Sequence, residues 1–481
     1  MQEPARVAID LGAESCRVSL LRWIDGVPAV EVIHRIPNGP KHRGASLHWA
    51  FGEILAGLEE GLRKVAALAP EGIASIGVDS WSVDYVRLGP DGKMLRDPFC
   101  YRDERTVKAK QAADAIVAPF EIYRRTGAFP MGLNSVYQLM ADPEAGIDSR
   151  APWAMLPEFV LYWLSGRRVA EYTNATHTGL VSLKTGAWDE ELFAKLGLAL
   201  EAAPPLVPTG TVLGPVAGPL AGLDAFRSTQ VIAPATHDTA SAIAGIAADM
   251  SATAYISSGT WSLVGAITQT PVTTQHAFDA GYTNIGAAGG GLLFHSLINS
   301  MWVLKQCMES WAAEGRPWPI EKLVQEAAAC NVNAATGVLD MDAPALMLDI
   351  GMPQRINGEL TRLGFDAIPD VAGNEPLFAR TIFESLALRY ASAIHNLEKM
   401  LDRKIERIHM IGGATRNKLL IALTEKQTGL KVQVGETESA TVGSLAIQLA
   451  ASEAAGARVT PAAIARWAER LCKRQEAGSR E

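Results

Sequence analysis

The stretch that decides the fold is AIDLGAESCRVSL, residues 8–20. Apolar side chains alternate with other residues up to Asp10, a glycine interrupts the alternation, and a second strand-like run begins at Arg17. Two such runs separated by a short glycine-containing turn are typical of a β-hairpin. The stretch therefore predicts a hairpin that carries a carboxylate, Asp10, beside its turn.

A second stretch, TAYISSGTWSLVGA at residues 253–266, repeats the order of strand, glycine turn and strand. The small and polar run at 244–251, just before it, is typical of a domain boundary. The two hairpins therefore predict two domains of similar architecture that face one cleft. The expected division is 1–246, 247–460, and a C-terminal helix with a polar tail over 461–481.

Helix-like and strand-like segments follow one another along the rest of the chain. Apolar residues recur at helical spacing over 51–68 and over 382–401, whereas 73–78 and 405–411 have the length and residue types of strands. These spacings are typical of amphipathic helices and of buried strands. A chain that mixes the two throughout is predicted to be an α/β protein.

The composition excludes several classes of protein. With 481 residues, 48% of them hydrophobic, the chain can form more than one compact domain. A formal net charge of −8 does not suit a nucleic-acid partner. The N-terminus lacks the apolar core of a signal peptide, no apolar run approaches the roughly 18 residues that span a bilayer, and the five cysteines have no metal-ligand spacing. We therefore expect a cytoplasmic protein with neither a nucleic-acid nor a membrane partner.

The turn of the first hairpin is a candidate phosphate-binding site. Backbone N–H groups near Gly12 and Ala13 can bind phosphate oxygens, Arg17 can add positive charge, and Asp10 can hold Mg²⁺ directly or through water. The alternative is a plain hairpin whose aspartate and glycine serve only the turn. The residues alone leave both interpretations open.

The second hairpin offers a matching turn. Gly259 allows backbone to approach an anion closely, and the hydroxyls of Ser258 and Thr260 can donate hydrogen bonds. A nucleotide phosphate chain held from both sides accounts for two such turns, whereas a single structural turn does not. The glycines of the run from Gly412 to Asn417 leave bare backbone at a helix start, where a flat ring can lie, although a simple strand-to-helix turn has the same pattern.

Asp238 is the candidate for acid–base chemistry, because it follows His237 at the expected N-terminus of a helix. One interpretation is a helix N-cap, which is worth about 1 kcal/mol. The other is a base that accepts the proton of a substrate hydroxyl during phosphoryl transfer and that the helix dipole keeps ionised. His237 can bind sugar hydroxyls or can be a structural histidine.

The segment DSWSVD, residues 79–84, combines two carboxylates with an aromatic ring. The face of Trp81 can pack against sugar C–H groups while Asp84 accepts hydroxyl hydrogen bonds, as in other small-molecule pockets. The alternative is an edge strand whose charges are solvated.

Taken together and in chain order, these motifs resemble those of the FGGY carbohydrate kinases. They are AIDLGAESCRVSL, GVDSWSVDYV, YRDERT, EYTNATHTGLV, THDTASA, YISSGTWSLVG, MIGGATRNKLL and ETESATVGSLAIQ. The resemblance runs from about Val7 to about Ala450, and within the family it is strongest to the kinases of L-rhamnulose. It implies two ribonuclease-H-like domains of the actin and hexokinase type, with a central cleft for sugar and ATP, in a monomer or a homodimer.

The resemblance also implies an activity and a set of site residues. The expected reaction is phosphorylation of a ketose, L-rhamnulose to L-rhamnulose 1-phosphate, with ATP and Mg²⁺ as cofactors. It makes Asp238 the proton acceptor and places Asp10 near the magnesium ion. The residues implied in sugar binding are Trp81, Ser82, Asp84, Asn134, Asn174, His237 and Thr239. Those implied in ATP binding are Ala13, Glu14, Ser15, Cys16, Arg17, Gly259, Thr260, Gly412, Gly413, Ala414 and Asn417.

The chain departs from that pattern at ligand positions. At the position of Ser82, the L-rhamnulose kinases that this chain resembles have glycine. Leu297 and Lys305 occupy the positions of a sugar-binding asparagine and an ATP-contacting glutamine in those kinases. Asn299 and Gln306 are close enough in sequence to replace them. The alternatives are therefore a kinase for another sugar such as L-fuculose, a non-catalytic sugar or nucleotide sensor, and an ATPase of the actin or chaperone type.

Overall fold

A computed structural model describes residues 4–330, 337–348, 350–436 and 438–472. The strands are β1 Ala5–Leu11, β2 Ser15–Ile24, β3 Val27–Pro37, β4 Pro40–Arg43, β5 Ser46–Trp49, β6 Ile73–Ser80, β7 Tyr85–Arg87, β8 Trp153–Met155, β9 Ala170–Glu171, β10 Leu206–Val207, β11 Thr211–Pro215, β12 Gln230–Ala233, β13 Thr253–Ser258, β14 Trp261–Thr268, β15 Tyr282–Gly286, β16 Leu292–Asn299, β17 Arg407–Ile411 and β18 Lys431–Val434. The α-helices are α1 Phe51–Leu68, α2 Thr106–Ile116, α3 Pro119–Thr126, α4 Ser135–Ala141, α5 Leu156–Ser165, α6 Tyr172–Ala175, α7 Glu190–Lys195, α8 Asp238–Ala244, α9 Gln275–Asp279, α10 Met301–Ala313, α11 Ile320–Ala329, α12 Met352–Arg362, α13 Glu375–Leu401, α14 Lys418–Thr428, α15 Ser439–Ala454 and α16 Pro461–Cys472.

The first hairpin forms as predicted and lies inside a six-stranded sheet. The strand order is β11-β12-β6-β1-β2-β3, with β2 antiparallel to both β1 and β3, and with β6 parallel to both β1 and β12. Every residue of β1 is buried, because α1 packs against β2 and β3 while α15 packs against β1 and β6. The centre of the sheet is thus covered on both faces, and the strand ends are the part of β1 and β6 that is left for a site.

The second hairpin forms in the same way. β13 and β14 are antiparallel, β17 lies parallel to β13 on its other side, and β18 is parallel to β17, in a sheet of order β15-β16-β14-β13-β17-β18. Both sheets therefore contain a hairpin whose first strand also pairs with a parallel strand. The predicted α/β class and the similarity of the two hairpins are confirmed.

The chain folds into two compact units. The first comprises the described residues of Met1–Ala248, Thr268–Phe294 and Glu438–Glu481, and the second those of Asp249–Ile267 and His295–Thr437. The chain therefore leaves the first unit and returns to it twice. The expected polar tail after α16 lies outside the described residues. Within the described ranges, no helix has both the length and the apolar character required to cross a membrane.

Candidate active site

Three carboxylates of the first unit are placed by the ends of its parallel strands. Asp10 and Asp79 are direct partners in the pairing of β1 with β6. The N–H of Ser80 donates to the carbonyl of Thr236 at 2.9 Å, which holds the segment after β12 beside the end of β6. α8 then begins at Asp238. Ligand sites of open α/β sheets form at this end of parallel strands.

The three carboxyl groups affect one another electrostatically. Burial raises the pKa of Asp10 to about 6, with Arg17 opposing the rise and Asp238 adding to it. Burial, followed by the charges of Asp10 and Asp238, raises the pKa of Asp79 well above its ordinary value. A hydrogen bond from Ser444 and the charge of Arg17 oppose this rise only in part. This cluster therefore favours a cation or a proton.

The structure excludes one of the two sequence-based interpretations of Asp238. His237, not Asp238, is the N-cap of α8, and no side chain caps the helix, so the N-cap interpretation is wrong. Burial raises the pKa of Asp238 to about 6, while hydrogen bonds from Thr239 and the charge of Arg17 oppose the rise. The side chain keeps 36% of its surface exposed, and the group remains mainly ionised at pH 7.

The predicted anion-binding residues in the turn between β1 and β2 differ in their exposure to solvent. Ala13, Glu14 and Ser15 reach the surface. Cys16 is fully buried, with its Sγ atom 3.8 Å from the Gly12 carbonyl, so its side chain does not face the surface of the turn.

Arg17 is the cation at this site. One of its terminal nitrogens, Nη1, lies 3.3 Å from Asp10 and also contacts Glu438, a partner that the sequence did not indicate. Its Nε atom is buried and has no acceptor within the described residues. That N–H can be donated to an anion.

Two of the predicted sugar-binding residues contact Asp238, and a third, Asn134, is linked to one of them through His177. Thr239 Oγ1 donates to Asp238 at 3.1 Å, and His237 Nε2 lies 3.4 Å from the same carboxylate. His237 Nδ1 is 3.1 Å from Nε2 of His177, whose carbonyl accepts from Asn134 Nδ2 at 3.0 Å. Burial lowers the pKa of His237 to about 3, so the ring is neutral at pH 7.

Asn174 is placed differently from the other predicted sugar-binding residues. It has no exposed surface, and its Nδ2 atom donates to Glu158 at 3.0 Å inside a buried network. Its side chain therefore supports the loop from within instead of facing solvent.

Asp84 is buried and fully hydrogen-bonded. Its carboxylate accepts from Trp49 Nε1 at 2.7 Å, from Trp81 Nε1 at 2.9 Å and from Gln138 Nε2 at 3.0 Å. Burial raises its pKa to about 6 in spite of these donors. With 1% of its surface exposed, Asp84 is not part of a solvated edge strand, so that alternative is wrong. It orients the Trp81 ring, and its partners Trp49 and Gln138 were not predicted from the sequence.

Val83 is held in a strained conformation beside Ser82. Its φ angle is 73°, in the left-handed region that β-branched residues rarely adopt. Its carbonyl accepts hydrogen bonds from Ser135 Oγ at 2.6 Å and from Gln138 Nε2 at 3.3 Å. Strain that the surroundings enforce in this way is concentrated at binding and catalytic sites.

In the second unit, a group of hydroxyls lies behind the Gly259 turn. Ser262 Oγ is 2.8 Å from Ser258 Oγ, 2.7 Å from Ser300 Oγ and 2.6 Å from the hydroxyl of Tyr390. A Cβ atom at Gly259 would meet nothing within 4 Å, so the backbone of this turn is open to a ligand.

The predicted adenosine-binding run lies next to that turn. Gly412 has a φ of 87°, and a Cβ atom there would come within 2.7 Å of the Ser258 carbonyl, so glycine is required. Gly413 has open space around its Cα, whereas Ala414 is buried. Asn417 uses its Oδ1 atom to cap α14 by accepting from Leu420 N–H at 3.0 Å, while its Nδ2 atom is buried without a partner within the described residues.

Two α/β units with matching hairpins, strand-end carboxylates in one and an open glycine turn in the other, are typical of phosphotransferases of the small-molecule kinase class. Comparison with known proteins makes the assignment specific. Residues 6–245 match the N-terminal domain, and residues 254–452 the C-terminal domain, of the FGGY family of carbohydrate kinases. The chain belongs to this family and is a carbohydrate kinase.

Individual relatives agree with this assignment. The chain is 35% identical to the rhamnulokinase of Bacteroides thetaiotaomicron, over 92% of this chain and 89% of the relative. It is 31% identical to the rhamnulokinase of Bacillus subtilis, over 93% and 90% of the two chains. Among solved structures, the xylulose kinase of Lactobacillus acidophilus matches with a TM-score of 0.76 and 18% identity, over 99% of this chain and 98% of that one. The gluconate kinase of the same organism matches over the same shares, with a TM-score of 0.75 and 18% identity. These two structures confirm the two-domain fold.

Replacing Asp84 with asparagine tests its role in holding the indoles. An amide offers one acceptor atom where the carboxylate offers two, so Asp84→Asn is expected to lose about 1–3 kcal/mol of unfolding free energy and to shift the tryptophan emission. Urea denaturation followed by fluorescence measures both. Asp91→Asn, at an exposed side chain, is the control, and equal behaviour of the two variants would contradict the assignment.

Proposed function

We propose that this carbohydrate kinase phosphorylates L-rhamnulose at its C1 hydroxyl, with ATP as donor and Mg²⁺ as metal. The substrate assignment is supported by four curated relatives, all rhamnulokinases, at 30–35% identity over 92–93% of this chain. The observation that carries the mechanism is the partly exposed Asp238 beside the neutral His237 ring and the Thr239 hydroxyl. The cytoplasmic location and the monomeric or homodimeric state remain predictions.

Asp238 acts as the proton acceptor in this proposal. As the sugar oxygen forms its bond to the γ-phosphorus, the hydroxyl proton passes to the Asp238 carboxylate and the bond from phosphorus to the bridging oxygen of ATP breaks. A pKa of about 6 suits a base at neutral pH, because the group is mainly ionised and still able to hold a proton. The Thr239 hydrogen bond orients the carboxylate, and the uncharged His237 is free to exchange hydrogen bonds with sugar hydroxyls.

The remaining carboxylates fit a magnesium ion. Asp10 and Asp79 are buried hard oxygen donors on adjacent strands, at directly paired positions. Mg²⁺ prefers such oxygen ligands and usually keeps several waters, so Asp10 would hold the ion, with Asp79 behind it. When bound, the ion supplies positive charge that offsets the charge on the phosphates.

Two further groups are assigned to ATP. The unpartnered Nε–H of Arg17 is available to a phosphate oxygen in the first unit. In the second unit, the open backbone at Gly259 and the adjoining Thr260 suit phosphate binding, and the bare backbone at Gly412 and Gly413 suits the adenosine.

A different ketose is the second candidate substrate, because the side chain of Asn299 does not replace the asparagine that is missing at Leu297. Asn299 was expected to replace the sugar-binding asparagine that Leu297 displaces. It is instead fully buried and donates its Nδ2 atom to the Leu346 carbonyl at 2.7 Å. Gln306 likewise donates its Nε2 atom to Glu309 at 2.7 Å. Neither side chain replaces the residues that Leu297 and Lys305 displace, which favours a different sugar, such as L-fuculose, as the second candidate.

A ketose panel tests the substrate assignment. ADP release coupled to NADH oxidation, measured with L-rhamnulose, L-fuculose, L-ribulose and D-xylulose, is expected to give the highest kcat/KM on L-rhamnulose. The same assay without sugar is the blank. A kcat/KM on another ketose that exceeds the L-rhamnulose value tenfold would overturn this substrate while leaving the kinase class in place.

Removal of the base tests the mechanism. Asp238→Asn is expected to reduce kcat by roughly 10²–10⁴-fold, because amide nitrogen and oxygen cannot accept the proton, while ATP affinity changes little. Steady-state kinetics and isothermal titration with ATP measure the two quantities. Asp224→Asn, at a side chain with 84% of its surface exposed, is the matched control; a kcat for Asp238→Asn within threefold of wild type would refute the role.

The pH dependence follows from the raised pKa of the base. Because Asp238 has to be ionised to accept a proton and its pKa is about 6, kcat/KM is expected to be level above pH 7 and to fall as the pH drops through 6. An aspartate of ordinary pKa, 3.8, would keep activity level down to about pH 5. Initial rates between pH 4.5 and 8.5, with stability checked at each pH, distinguish the two.

A further inference from the structure

Two glutamates with no exposed surface lie directly beneath the segment that carries the base. Glu158 is in the first turn of α5 and Glu171 ends β9. Within the described residues, the groups that donate hydrogen bonds to them are neutral hydroxyls and amides, and no Lys or Arg side chain contacts them. Burial raises the pKa of Glu158 to about 7 and also raises that of Glu171. Burying two carboxyl groups next to each other costs folding free energy. Apolar side chains of similar volume in their place often give a protein of equal or higher stability.

Both carboxylates bond to one residue, Thr236. Its hydroxyl is 2.6 Å from Glu158 Oε1 and 3.2 Å from Glu171 Oε2, and its backbone N–H donates to Glu171 Oε2 at 3.0 Å. Because the hydroxyl has a single proton, it is donated to one carboxylate at a time. Thr236 is therefore held by its side chain and by its backbone, from two different elements.

A second threonine, Thr173, links the same network to His237, the residue after Thr236. Thr173 donates its hydroxyl to Glu171 Oε2 at 2.5 Å, and the same hydroxyl lies 3.4 Å from the backbone N–H of His237. The residue after His237 is Asp238, where α8 begins. The network thus sets the backbone position of two consecutive residues immediately before the base.

We infer that Glu158 and Glu171 are positioning residues for phosphoryl transfer, which act through Thr236 to place Asp238 at the substrate hydroxyl. This inference rests on the proposed role of Asp238 as proton acceptor. Neither glutamate touches substrate. A displacement of about 1 Å at a reacting group can cost 10²-fold in rate, so loss of the network changes kcat more than it changes binding.

Thr236→Val is the direct test, because valine keeps the shape and removes the hydroxyl. We expect kcat to fall roughly 10- to 100-fold with the KM values for sugar and ATP within threefold of wild type, and we expect Thr236→Ser to restore most of the kcat. If the valine variant does not fold, Thr236→Cys against Thr236→Ser gives the same contrast, since a thiol is a weak donor. Circular dichroism and thermal unfolding confirm that each variant is folded at the assay temperature.

Thr209→Val is the matched control for a merely structural network. Thr209 donates to Glu171 at 2.5 Å through the other carboxylate oxygen, Oε1, and it lies outside the segment before the base. We expect it to lower the melting temperature like Thr236→Val while kcat stays within threefold of wild type. Equal losses of kcat in the two valine variants, or no loss in Thr236→Val, would overturn the inference. Full activity of Asp238→Asn would instead overturn the proposed base, so the two failures are distinguishable.

Discussion

The candidate site of the first unit depends on the parallel pairing of β1 with β6. This register makes Asp10 and Asp79 direct neighbours, and the hydrogen bond from Ser80 to Thr236 then brings the start of α8 to the same edge of the sheet. A slip of one residue would turn alternate side chains to the opposite face. Because β1 is buried along its whole length, such a slip is strongly opposed, and the carboxylates are fixed by the same packing that forms the core.

The environment of each carboxylate decides what it can do. Asp84 is saturated by donors and holds the indoles of Trp49 and Trp81, whereas burial and the charges of Asp10 and Asp238 raise the pKa of Asp79, so that this carboxyl group suits a cation or a proton. Asp238 is partly exposed and has a moderately raised pKa, which is the combination required of a base. Groups of identical chemistry are thus given separate roles by burial and by hydrogen bonding.

The pattern of residues predicted several local features correctly, but it did not predict the burial of some candidate site residues or the start of α8. The spacing of apolar residues predicted helix α1, and its bounds agree with the structure. Cys16 and Asn174 were expected at ligands, but their side chains are buried, because a residue next to a motif can point into the core. The N-cap interpretation of Asp238 was wrong by one residue, since helix boundaries depend on backbone geometry that periodicity does not define.

The sequence by itself determined the α/β class, the two hairpins, the order of the motifs and, through that order, the family of the enzyme. Those features depend on short-range periodicity and on residue types close together in the chain. Only the tertiary structure showed that Glu158 and Glu171 meet at Thr236, that Arg17 contacts Glu438, and that Val83 is strained. Such contacts join residues up to 421 positions apart, and their energies depend on burial, which is a property of the folded chain and not of any one segment.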